Sequence, residues 1–128
     1  MECQGSTTIK IIAFDLGHTI LNEEAGRDLD INIRPAIPMP GVLDTLPKIG
    51  LPMALWANTR DSADDVKNWL GRAALDRYFT WIVTSSQVGY RKPDPRFFAE
   101  AVKMCGCKPE EVLFVGNQRN SDIRGVGR

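Results

Sequence analysis

Four short apolar runs, each leading into polar residues, constrain this chain more than any other feature of it. Residues 8–14 (TIKIIAF) are β-branched and apolar and lead into Asp15. Residues 52–57 (PMALWA) lead into Asn58 and Thr59. Residues 79–84 (FTWIVT) are followed by a segment carrying Arg91, Lys92 and Pro93. Residues 112–116 (VLFVG) lead into Asn117, with Asp122 five residues later. Runs of this length and composition predict buried strands.

Helical patterns lie between the runs. Val42, Leu43, Leu46 and Ile49 have helical spacing, and Pro47 within them predicts a short or kinked helix. Asp61 or Ser62 can cap a helix reaching about Leu70, with Ala63, Val66 and Leu70 inward. Asp94 followed by Pro95 is a strong helix start, and Phe97, Phe98, Ala101, Val102 and Cys105 continue an apolar face. Residues 22–40 carry mixed charges, three prolines and no period, and read as loop. Strands alternating with helices pair in parallel, so the expectation is an α/β fold with a doubly wound parallel sheet. Residues 121–128 read as a helix start. A fifth strand would be natural there, so the sheet is expected to lack its last strand. The expectation is a truncated chain, a fragment of a longer gene, or a homodimer that shields the open edge.

Length and composition narrow the function classes. The 128 residues suit one domain, with residues 1–7 a polar tail. Sixteen Lys and Arg balance sixteen Asp and Glu, which gives no long-range pull toward nucleic acid or an anionic membrane. No apolar run reaches the length of a membrane span, and the polar start lacks the apolar stretch of a signal peptide. The three cysteines, Cys3, Cys105 and Cys107, are an odd count, which predicts reduced thiols and a cytoplasmic protein.

In open α/β sheets, ligands bind outside the carboxyl ends of the strands. Asp15, Asn58, Thr59, Lys92, Asn117 and Asp122 all fall at that edge. A carboxylate at a strand tip can attack phosphorus and form an aspartyl phosphate. A lysine can neutralise the anionic group being transferred. Thr or Asn side chains and the backbone N–H groups of the Gly17 turn can hold further oxygens, and carboxylates can bind Mg²⁺. Blander readings stay open. Asn58 and Thr59 also suit an Asx-type turn, Asp122 a helix cap, and Asn117 a strand-end backbone partner. His18, the only histidine, suits either an exposed loop or a proton-transfer role near Asp15. Trp56, Trp69 and Trp81 read as core and interface aromatics.

These motifs resemble the haloacid dehalogenase-like hydrolase superfamily, most of whose members are Mg²⁺-dependent phosphatases. The likeness runs from about Lys10 to Gly125. It rests on FDLGHTIL from Phe14, LWANT from Leu55, VGYRKPDPRFF from Val88, and VLFVGN from Val112, followed by Asp122. The resemblance implies a Rossmann-like three-layer sandwich. It places Asp15 as nucleophile and Lys92 as the catalytic lysine. It also implies Mg²⁺ held by Asp15, the Gly17 carbonyl, Asn117 and Asp122, and phosphate contacts are expected at Gly17, His18, Asn58 and Thr59.

Three positions depart from the family pattern. Gly17 stands where phosphatases of the family usually carry a second Asp, the general acid and base. Ala57 stands for a Ser or Thr. Asn117 stands for an acidic metal ligand. About thirty residues separate the first two motifs, too few for a helical cap domain, so a capless phosphohydrolase with an open pocket for a phosphate monoester is expected. Two alternatives follow from the departures. One is an impaired relative that binds a phosphorylated ligand or protein. The other is a metal-independent hydrolase like the dehalogenases.

Overall fold

The computed structural model describes residues 8–116, and within them the expected alternation of strands and helices is present. Strand β1 spans Ile11–Phe14. Helix α1 (Val42–Thr45) continues into a 3-10 turn at Leu46–Lys48, the short element that Pro47 predicts. Strand β2 (Met53–Ala57) is followed by α2 (Ala63–Gly71), whose N-cap is Ser62, accepting from Asp65 N at 3.1 Å. Strand β3 (Trp81–Thr84) runs directly into a four-residue helix α3 (Ser85–Val88), which the sequence pattern does not announce. Helix α4 (Pro95–Cys105) starts with Asp94 accepting from Arg96 N at 2.9 Å and stops at Gly106, whose φ of 69° suits the left-handed turn of a C-cap. Strand β4 is Val112–Val115.

The sheet has the order β3-β2-β1-β4, with every pairing parallel. Successive strands step one way from β1 to β3, and the chain then crosses back to the far side of β1. Strand β1 is therefore the place where the winding reverses, the usual ligand position of an open α/β sheet.

Side chains alternate between the two faces of the sheet with period two. Phe14, Met53, Leu55 and Ala57 pack on one side with Val42, Leu46, Val66, Trp69 and Leu70 from α1, its 3-10 extension and α2. Ile11, Ala13, Ala54, Trp56, Val83 and Phe114 pack on the other with Phe97, Phe98, Ala101 and Val102 from α4. Two cores enclosing one sheet make the expected three-layer sandwich. On β4, Leu113 and Val115 remain 46% and 38% exposed beside the described residues. Asn117, Asp122 and the helix expected over 121–128 lie outside the described residues, as does the polar tail. No helix among the described residues is long and apolar enough to cross a membrane.

Candidate active site

Asp15 follows the last residue of β1, and its N–H is held by Val115 O of β4 at 2.9 Å. The carboxylate is oriented from two sides. Its Oδ1 accepts from Leu16 N at 2.9 Å and from Lys92 Nζ at 2.8 Å. Oδ2 accepts no hydrogen bond from the described residues. The Asp15 side chain is 14% exposed, enough to be reached and little enough to be screened weakly.

The Lys92 side chain is 1% exposed. Burying an ammonium costs several kcal/mol unless it is paired and hydrogen-bonded. Here Nζ donates to both Asp15 Oδ1 and Trp56 O, the latter at 2.6 Å, and lies 5.0 Å from the Phe114 ring centroid. The aromatic floor is itself packed, with Trp56 stacked on Phe114 at 5.7 Å and edge-on to Phe97 and Phe98. Lys92 thus holds its charge beside Asp15 with little competing water.

Asn58 fixes the lysine from the other end. Its Oδ1 accepts from Lys92 N at 2.8 Å, and its Nδ2 donates to Lys92 O at 3.0 Å. Both functional groups of the amide engage the Lys92 backbone, which makes Asn58 a clamp on the segment after β3. Thr59 Oγ1 accepts from Asp61 N and donates to Asp61 Oδ2, the turn geometry that competed with phosphate contact in the sequence. Ser85 Oγ accepts from Thr59 N and donates to Thr59 O, tying α3 to the tip of β2. Ser85 had no signal in the sequence, because its role depends on a residue 26 positions away.

These groups surround a cavity of about 270 Å³ lined by Asp15, Gly17, Ala57, Asn58, Thr59, Arg91 and Lys92. Residues 22–40, expected as an uninformative loop beside an open pocket, supply further wall residues: Glu23, Arg27 and Arg34. Helix α2 pins this segment down. Trp69 Nε1 donates to Pro35 O at 2.9 Å, and Arg72 Nε donates to Arg34 O at 3.0 Å. The Arg34 guanidinium also lies 4.9 Å from the Trp69 ring centroid. Trp69 is therefore a core aromatic that also braces the cavity wall. His18 is not among the described lining residues. It stands 3.6 Å from Glu23 Oε1 and 3.7 Å from Glu24 Oε2, about one-third exposed.

Among the described residues no three His, Cys, Asp or Glu side chains gather as a metal cage. Mg²⁺ commonly binds through one or two carboxylates plus substrate oxygens, and the Asp15 carboxylate is a donor of that kind. The expected ligands Asn117 and Asp122 lie outside the described residues.

Comparison with known proteins agrees with this architecture. A family model described as haloacid dehalogenase-like hydrolase matches residues 17–127. A glyceraldehyde 3-phosphate phosphatase of Methanopyrus kandleri is 38% identical over 94 residues, covering 71% of this chain and 40% of that protein. A phosphoglycolate phosphatase of Pseudomonas syringae pv. tomato is 33% identical over 128 residues, covering 91% of this chain and 46% of that protein. The chain thus spans less than half the length of these two relatives. Among solved structures, a putative hydrolase of the same superfamily from Bacillus subtilis, bound to magnesium, superimposes with a TM-score of 0.76 at 14% identity, covering 94% of this chain and 83% of that one. The extent of the family match, on a parallel sheet carrying an Asp–Lys pair at the tip of β1, places this chain in the haloacid dehalogenase-like hydrolase family.

Proposed function

We propose that this chain carries the hydrolytic site of a phosphatase acting on phosphate monoesters through an aspartyl-phosphate at Asp15. The observation that carries this reading is the Asp15–Lys92 pair, with one carboxylate oxygen bonded and the other left for a ligand. Relatives named as phosphatases of small phosphorylated metabolites support the same class of substrate.

Substrate enters the cavity with its phosphoryl group between Asp15 and Lys92. Leu16 N–H and Lys92 Nζ hold Oδ1 and so aim the carboxylate. Oδ2 attacks phosphorus, the bond to the ester oxygen breaks, and Lys92 offsets charge on the phosphoryl oxygens. Asn58 keeps Lys92 in position. Mg²⁺ at Asp15 would offset further negative charge on the transferring group. Water then cleaves the aspartyl-phosphate and restores the carboxylate.

The test is hydrolysis of p-nitrophenyl phosphate by the parent and by Asp15→Asn, with and without Mg²⁺. The variant should lose about 10⁴-fold in kcat or more, the scale expected on losing a nucleophile. Equal rates would remove Asp15 from that role. A second reading, ligand binding without turnover, draws on the lack of side-chain carboxylate at Gly17 and hydroxyl at Ala57. Turnover that depends on Asp15 excludes it.

A further inference from the structure

Phosphoryl transfer from an alkyl ester leaves an alkoxide, a poor leaving group unless an acid protonates it as the bond breaks. The cavity wall limits the candidates. Arg27, Arg34 and Arg91 offer only guanidinium donors and no acceptor. Lys92 is buried and bonded to the nucleophile. Among the described wall residues only Glu23 remains as a side chain able both to give up and to take back a proton.

The placement of Glu23 has a local cause. The chain after Asp15 turns tightly, with Leu21 N donating to Leu16 O at 3.1 Å and His18 N donating to Leu21 O at 2.8 Å. Ile20 and Leu21 are buried, which anchors the turn. Asn22 N donates to Ile37 O at 2.8 Å, fixing the exit of the turn. Glu23 is thereby folded back over Gly17. A Cβ built on Gly17 would meet Glu23 Oε2 at 2.5 Å, Cδ at 2.7 Å and Oε1 at 2.9 Å. The Glu23 carboxylate occupies the volume that a short acidic side chain on residue 17 would fill. Gly17 and Glu23 therefore form a complementary pair: the first has no side chain, and the second puts a carboxylate in its place.

Resting on the phosphatase reading above, we infer that Glu23 is the proton-transfer residue of this site, a carboxylate delivered from the loop in place of a side chain at position 17. In the first step Asp15 Oδ2 attacks phosphorus, the phosphorus–ester oxygen bond breaks, and the departing oxygen takes the Glu23 proton to leave as an alcohol. In the second step Glu23, now a carboxylate, takes a proton from water as the water oxygen attacks phosphorus. The Asp15–phosphorus bond breaks, its electron pair returns to Asp15, and inorganic phosphate is released with Glu23 protonated again.

The experiment compares ethyl phosphate, whose leaving group needs a proton, with p-nitrophenyl phosphate, whose leaving group does not. Glu23→Gln is suited to it because the side chain is 38% exposed and its loss leaves no buried void. Its kcat should fall about 10²-fold or more on the alkyl ester and less than about tenfold on the aryl ester. The double variant Gly17→Asp with Glu23→Ser, which moves the carboxylate back onto position 17, should recover at least about tenfold of the alkyl-ester loss. Equal losses on both esters, or no loss on either, overturn the inference while Asp15-dependent turnover stands. A parent that hydrolyses neither ester, or that matches Asp15→Asn, overturns the phosphatase reading and this inference with it.

Discussion

The two walls of the cavity are built on different principles. The strand-tip wall is made of groups that bond one another: Asp15 with Lys92, Lys92 with Trp56 and Asn58, and Thr59 with Ser85. Each is anchored by a parallel strand or the residues just past it. The wall from residues 22–40 presents Glu23, Arg27 and Arg34 on irregular backbone, and its ties to the sandwich include the Trp69 and Arg72 side chains. A rigid wall can hold reacting atoms within tenths of an ångström, while a tethered loop can change its side chains without disturbing the sheet. Under the proposed mechanism the attack on phosphorus falls to the first wall. The inferred proton delivery from Glu23 would fall to the second.

The comparison breaks first at Lys92. Lys92→Met removes the charge while keeping much of the apolar stem, and kcat for p-nitrophenyl phosphate should fall about 10²–10³-fold, the usual cost of losing one preorganised donor to a developing anion. A steady-state assay with a melting curve of the variant checks this. A loss below tenfold would mean that the strand-tip wall does not carry the charge offset.

Asn58→Ala tests the clamp rather than the charge. Lys92 N–H loses its acceptor at a partly buried site, so stability in a urea titration should fall by about 1–2 kcal/mol. Activity should fall with it, through kcat more than KM, because Lys92 is then less well placed.

The smallest effect comes from loosening the tie between α2 and the loop wall. Trp69→Phe keeps most of the buried aromatic volume but removes the donor to Pro35 O. It should cost about 1 kcal/mol and raise KM while leaving kcat for the aryl ester within a few-fold. A kcat loss as large as that of Lys92→Met would erase the distinction between the walls.

How much of this was legible in the sequence follows the same division. The strand-tip wall is readable because apolar runs of five to seven residues predict parallel strands, and the sheet then fixes where Asp15 and Lys92 fall. The loop wall was opaque. Residues 22–40 have no period, and their course depends on side chains 34 to 41 positions away, such as Trp69 reaching Pro35 and Arg72 reaching Ile31. Asn58 was found as a polar strand end, but its grip on the Lys92 backbone is a tertiary contact no local pattern encodes. Glu23 was hidden for the same reason: the gap at Gly17 is visible in the sequence, and what fills it appears only when the turn at 16–21 is closed.

The bond between Asp15 and Lys92 joins residues 77 positions apart. Closing so long a stretch of chain carries an entropy cost that the intervening strand pairings must offset before the two side chains can meet. Strands β2 and β3 both lie between them in sequence. A chain that has collapsed but not aligned these strands holds Asp15 and Lys92 apart, so turnover during refolding should report sheet completion later than any signal of helix content.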